Sequence, residues 1–256
     1  MKKLIALLLA LTMVLAMTAC VGGKKDKKDK VTKKPTTEAT TEATTEPTTE
    51  PTTEPADEPT TEPTTEPTEP ATEPVENNDL LGAVDGNTYT NEFIGLSVTT
   101  PDDWTFADTQ QLAQLLGLSE DALAPENFAT TMNSVGAAII MYATSEDELL
   151  VVNISLENLV RSQAVDITEE QYADVVQGNL KVALENVGAE NMTLERTSIL
   201  CAGEEHPGTL IYGNIQGRDT FEAQVYLKRD DYMVCITIAS YWEDRVEEML
   251  DMFKGI

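Results

Sequence analysis

The chain holds one histidine, His206, in the run Cys201-Ala-Gly-Glu-Glu-His-Pro-Gly208, beside Glu204 and Glu205. An imidazole next to carboxylates is the acid–base half of a serine-type triad, whose other half is a placed nucleophile. No Gly-x-Ser-x-Gly elbow supplies one, so His206 reads as an exposed histidine of a Gly/Pro-punctuated turn. Metal chemistry is poorly served as well. There is no His-Glu-x-x-His, a lone imidazole leaves zinc short of nitrogen and sulfur ligands, and no acidic turn has EF-hand spacing. The sequence therefore implies no cofactor and no catalytic residue. Carboxylates adjacent in sequence, Asp102 with Asp103 and Glu169 with Glu170, need not converge as a glycosidase pair does, and read as solvated charge. Of the three cysteines, Cys201 and Cys235 fall in strand-like segments. They would be bridged if those strands are neighbours in an oxidising compartment, or they are small buried residues.

The third cysteine, Cys20, has a different setting. Lys2 and Lys3 precede an apolar run from Leu4 to Val14, which closes on Leu15-Ala-Met-Thr-Ala-Cys20. A charged start, an apolar middle too short for an ordinary spanning helix, and small residues before a cut define a secretory signal over residues 1–19. The segment resembles a bacterial lipoprotein signal, with Met17 where the family prefers leucine, and the resemblance implies lipidation of Cys20 as the first mature residue. The alternative is an ordinary secreted protein cut after Ala19. Residues 20–34 carry Lys24, Lys25, Lys27, Lys28, Lys30, Lys33 and Lys34. Beside an acyl chain such a basic patch is a second anchor, each lysine contributing about 1 kcal/mol near anionic headgroups. Net charge over the whole chain is −28, a field that repels a phosphate backbone and excludes nucleic acid as a partner.

Residues 35–78 repeat Thr-Thr-Glu-Pro with close variants and contain no aromatic residue. Such a segment has nothing with which to build a core, and its prolines and unopposed glutamates favour an extended, disordered spacer. At about 3.1 Å per residue it spans on the order of 100 Å. Stalks of this kind resemble those of Gram-positive surface lipoproteins, which implies a domain held outside the membrane, toward the cell wall.

Residues 79–256 are enough for one domain. Two short strands fill Asn87 to Thr100 and turn near Glu92 to Gly95, followed by a proline turn and an aromatic plug at Trp104. Asp108 caps a helix that stops at Gly117. Strands follow over Val135–Ala143 and Leu149–Leu156. A second helix is framed by a Thr168/Gln171 capping box and Gly188, with Tyr172, Val175, Val176, Leu180, Ala183, Leu184 and Val187 as its core stripe. Four strands come next, over 192–201, 208–214, 220–228 and 232–239. The last two form a hairpin, and the final one is apolar enough to be buried on both faces. A capping box at Ser240 and Glu243 predicts a terminal helix with Trp242, Val246, Met249, Leu250 and Phe253 on one stripe. Tyr241 and Trp242, at its start, are the weak candidates for a surface contact.

The run Tyr89-Thr-Asn-Glu-Phe-Ile-Gly-Leu-Ser-Val-Thr-Thr-Pro-Asp-Asp-Trp104, with its Phe-x-Gly hairpin and Pro-x-x-Trp, resembles the start of PsbP-like domains. The closing hairpin from Phe221 to Ala239 with a following helix is similar too. The resemblance implies an α+β fold, a PsbP-like antiparallel β-sheet flanked by helices, and it implies no chemistry. Two classes of function fit. One is a noncatalytic binding or scaffolding module of the cell envelope with a protein or wall-polymer partner. The other is an extracellular hydrolase or small-ligand-capturing lipoprotein whose polar residues assemble only in the fold.

Overall fold

The computed structural model describes residues 80–186 and 188–256. The readings made of residues 1–79, including Cys20, the seven lysines and the Thr-Thr-Glu-Pro stalk, lie outside the described residues, as does Val187. Among the described residues no helix is long and apolar enough to cross a membrane. The fold is α+β and mostly sheet, with every strand pairing antiparallel.

Strands β1 (Ala83–Asp85), β2 (Thr88–Asn91), β3 (Leu96–Thr99) and β11 (Phe253–Gly255) form a small sheet in the order β1-β2-β3-β11. The turn between β2 and β3 falls where the sequence places it. Asn91 Oδ1 accepts from Ile94 N at 3.0 Å, and Gly95 takes a φ of 80°, a left-handed conformation that glycine adopts without a Cβ clash. Trp104 opens β4 (Trp104–Phe106) and is buried, as the plug was expected to be.

The larger sheet adds β5 (Ala137–Ser145), β6 (Leu150–Asn158), β7 (Ala189–Cys201), β8 (Glu204–Ile215), β9 (Arg218–Arg229) and β10 (Tyr232–Tyr241), in the order β4-β5-β6-β10-β9-β8-β7. Three successive hairpins join β7 to β10. Their two-residue turns are Ala202-Gly203, Gln216-Gly217 and Asp230-Asp231, and the first two have positive φ at both positions, the geometry that matches strand twist. As expected, β10 is a central strand buried on both faces.

Helix α1 (Thr109–Leu116) has the expected start and stop. Asp108 and Gln111 form a reciprocal capping box, and Gly117 ends the helix at φ 67°. Helix α2 (Pro125–Val135) was not anticipated. Ala124 makes no side-chain cap, and only Phe128 and Met132 mark its buried face, too few apolar residues to declare a period. Its remaining signals are Pro125 at the first position and Gly136 past the end. Helix α3 (Glu169–Asn186) begins at the expected Thr168/Gln171 box. It buries Tyr172, Ala173, Val176, Leu180 and Leu184 against β7, β8 and β9.

The end of the chain departs from expectation. Strand β10 continues through Tyr241, because Tyr241 N donates to Leu149 O and Trp242 N to Asp219 O. The expected Ser240/Glu243 box does not form, and Ser240 Oγ accepts instead from Arg245 N at 3.2 Å. Trp242, at φ 75°, is 52 % exposed rather than part of a core stripe. Helix α4 is only Val246–Leu250, and Phe253 joins the small sheet opposite Val98.

The main core lies between the two sheets. Ile140, Val152, Ile154, Leu156, Val234, Ile236, Ile238 and Val225 meet Leu96, Val98, Phe253, Phe128 and Met249 there. Close packing sets a strict limit at Gly208, where a Cβ would lie 2.7 Å from Gln224 O and against Ile199 Cδ1. Gly208→Ala is therefore expected to lower stability by about 1–3 kcal/mol, read as a lower urea midpoint with unchanged slope; an unchanged midpoint would contradict this packing.

Candidate functional site

His206 is not an exposed turn residue. The turn is confined to Ala202-Gly203, and His206 lies within β8, 6 % exposed. Its surroundings follow from a split in the sheet. Pairing of β8 with β9 ends at Gly208–Val225, so residues 204–207 of β8 pair with β7 alone. Glu169, the first residue of α3, enters the gap. One carboxylate oxygen accepts from Lys228 N at 2.7 Å, and the other lies 3.5 Å from His206 Nδ1. Glu204 Oε2 stands 3.9 Å from Nε2. Glu169 is therefore a cap on an unpaired strand edge, not the solvated charge its sequence context implied.

Cys201 and His206 line the same cavity, of about 270 Å³. Burial pushes the Cys201 thiol up to about 12, so it is held protonated and is no activated nucleophile. The bridge between Cys201 and Cys235 does not form. Both thiols are free, and strands β8 and β9 separate β7 from β10, about 14 Å at ordinary strand spacing, beyond disulfide reach. Among the described residues no group of three or more His, Cys, Asp or Glu is placed to hold a metal ion. A cleft of about 750 Å³ beside α4 is lined by Asp244, Glu247 and Asp251, with Arg245 bonded to Glu248. These charges are on the surface.

The unusual chemistry lies on the face of the large sheet that α3 packs against. Strand register puts Tyr142, Asn153, Thr237, Gln224, Thr209 and Arg196 in one row across β5, β6, β10, β9, β8 and β7. Neighbouring rows add Ser155, Cys235 and Tyr226 on one side, and Val151, Ala239, Glu222 and Ile211 on the other. A face covered by a helix is ordinarily apolar. Here Asn153, Ser155, Glu157, Thr209, Glu222, Gln224 and Thr237 are all buried.

Part of this layer satisfies itself. Tyr226 Oη donates to Gln224 Oε1 and Gln224 Nε2 donates to Glu222 Oε1, each at 2.7 Å, while Tyr172 Oη donates to Glu157 Oε2 at 2.7 Å. Two atoms of this layer remain buried without a partner, Tyr142 Oη and Asn153 Oδ1. Thr209 Oγ1 makes no hydrogen bond of ordinary geometry but lies beside Tyr226 Oη, whose lone pairs stay free to accept after it donates to Gln224. An unpaired buried polar group costs about 1–3 kcal/mol, so a set of them in one row calls for a reason. Glu222 adds to the cost. Burial pushes its carboxyl up to about 7, against the lowering effect of the Gln224 hydrogen bond. None of these residues stood out in the sequence. The available signal was alternation within β9 and β10, where Glu222, Gln224, Tyr226 and Cys235, Thr237, Ala239 occupy the positions between core residues.

Tyr241, one of the two surface candidates, is buried in this layer at 5 % exposure, whereas Trp242 is on the surface.

The carboxyl of Glu222 has a measurable consequence. Its pKa is raised in the fold from 4.5 to about 7, so the folded chain holds a proton that the unfolded chain releases. The stabilisation is complete below about pH 4.5 and is lost as pH rises through about 7. The expected fall is on the order of 3 kcal/mol, at about 1.4 kcal/mol per unit. Glu222→Gln, which keeps an acceptor for Gln224, should flatten the curve of stability between pH 5 and 8 relative to the parent. Parallel curves in urea titrations would show that Glu222 is not held protonated.

No family model matches the chain, and no curated protein matches it. Among solved structures it is similar to LpqN, involved in cell envelope biogenesis of Mycobacterium tuberculosis. The identity is 12 %, with a TM-score of 0.32 over 61 % of this chain and 76 % of LpqN.

Proposed function

We propose that this chain is a lipid-anchored extracytoplasmic protein whose domain, residues 79–256, is a PsbP-like noncatalytic binding module of the cell envelope. Cys20 carries the lipid, Lys24 to Lys34 rest against anionic headgroups, and residues 35–78 hold the domain away from the membrane. The β2–β3 hairpin and the buried Trp104 are the structural counterparts of the run that resembles PsbP-like domains. One observation carries the binding reading. The α3-side face gathers buried amide, hydroxyl and carboxyl groups, Tyr142 Oη and Asn153 Oδ1 among them unpaired, and its one buried serine, Ser155, donates to a backbone carbonyl and not to a base. Such groups suit holding a ligand in place. Capture of a small ligand is the form of this function that the same face favours over a hydrolase, which needs an activated nucleophile or metal-bound water.

Two experiments test the reading. Cys20→Ala is expected to release the protein into the medium or leave it uncleaved at the membrane; mature, acylated protein in that variant's membrane fraction would remove the anchor from the proposal. Crosslinking on intact cells, with the tethered protein as bait, should capture an envelope protein or wall polymer. Capture should be lost in Asn153→Leu, checked for folding by circular dichroism. Capture that is indifferent to Asn153 would place binding elsewhere on the domain.

A further inference from the structure

The split between β8 and β9 opens a cavity on the side of the sheet opposite α3. The last pair of that ladder is Gly208 with Val225. Continued in the same register, the ladder would set Leu227 opposite His206 and Arg229 opposite Glu204, with Cβ atoms about 5 Å apart. A carboxylate and a guanidinium at that spacing close into an ion pair. These two do not. Among the described residues Arg229 enters no ion pair. A cavity of about 270 Å³ lies there instead, lined by Glu204, His206, Leu227 and Arg229 together with Phe93 and Ile94 of the β2–β3 turn.

The charged groups are held apart and the way in is open. Arg229 Nε donates to Ile94 O at 2.9 Å and Nη1 to Lys228 O at 3.0 Å, which fixes the guanidinium and leaves Nη2 uncommitted. The Glu204 side chain is 74 % exposed, so it stands at the mouth. His206 is buried deeper, with Nδ1 facing Glu169 at 3.5 Å and Nε2 facing Glu204 at 3.9 Å, both beyond ordinary hydrogen-bond range. With its proton on Nδ1, toward Glu169, the ring turns an Nε2 lone pair to the same space as the Glu204 carboxylate. One donor can serve both acceptors.

This set of groups selects by charge. A lone anion would satisfy Arg229 and be repelled by Glu204, and a lone ammonium would do the reverse. A neutral molecule matches neither. A zwitterion matches both, its carboxylate on the free end of the guanidinium and its ammonium between Glu204 and Nε2. Phe93, Ile94 and Leu227 wall the space for an apolar side chain. Its volume falls below the roughly 300–1,000 Å³ of sites for drug-sized ligands, which suits a single amino acid.

We propose that Glu204, His206 and Arg229, around the β8–β9 split, bind a free zwitterionic α-amino acid with an apolar side chain. The site is on the other side of the sheet from the buried polar layer, so it goes beyond the binding reading made there and stands or falls separately.

The test is calorimetric titration of the full chain with leucine, with isoamylammonium, which lacks the carboxylate, and with isocaproate, which lacks the ammonium. Saturable one-to-one binding of leucine is expected, with each analogue at least tenfold weaker. Glu204→Gln, at an exposed side chain, should weaken leucine binding at least tenfold, as should Arg229→Lys, with thermal melting as the check on folding. Trp242→Ala, outside the cavity, should leave it unchanged. Absence of saturable leucine binding at millimolar concentration overturns the proposal, as does binding that Glu204→Gln leaves intact or an analogue that binds as well as leucine. Should Arg229→Lys fail to fold, Glu204→Gln and the two analogues decide alone.

Discussion

Strand β10 is the constraint on which the rest of the domain depends. It pairs along its length with β6 on one side and β9 on the other, and it joins the strands that precede α3 to those that follow it. Its alternation also sets the character of both faces. Val234, Ile236 and Ile238 enter the core between the sheets, while Cys235, Thr237, Ala239 and Tyr241 face the side of α3. A slip of one residue would exchange these sets and place Thr237 among Val152, Ile154 and Val225. The apolar face thus fixes the register, and the register aligns the polar row.

The two faces differ in purpose. The inter-sheet core is closed by α2, α4 and the small sheet with almost uniformly apolar side chains. The opposite face carries a polar layer that the fold tolerates at a cost, with Tyr142 Oη and Asn153 Oδ1 unpaired and a carboxyl whose pKa burial raises to about 7. Stability comes from the first face, and the second is free to depart from what stability alone would select. The binding function proposed for that second face would account for the asymmetry.

The β8–β9 split follows a similar logic on a smaller scale. Past Gly208 the two strands part, leaving backbone donors of β9 without a ladder partner, and Glu169 at the start of α3 supplies one of them. His206 is buried beside that carboxylate. The residue that looked most like chemistry in the sequence therefore sits at a joint between helix and sheet.

Local patterns were legible in the sequence wherever a short-range rule governs them. The cap at Asp108, the capping box at Thr168, the turn at Gly95, the β9–β10 hairpin and the burial of β10 all depend on residues within a few positions of each other. Helix α2 escaped because it lacks a side-chain cap and a long stripe. The terminal helix was overdrawn because residues 240–242 answer to distant stretches of chain: Ser240 pairs with Leu150 and Phe221, Tyr241 N donates to Leu149 O, and Trp242 N donates to Asp219 O. By itself the sequence determined the helices α1 and α3 and most of the strands, and it raised the expectation of an export signal and a stalk in residues outside the described ones. Only the tertiary structure decided that Cys201 and Cys235 lie three strands apart, that Glu169 meets His206, and that Tyr142, Asn153 and Glu222 share one face. Strand order is set by long-range packing, and a residue's neighbours across a sheet carry no trace in its own stretch of chain.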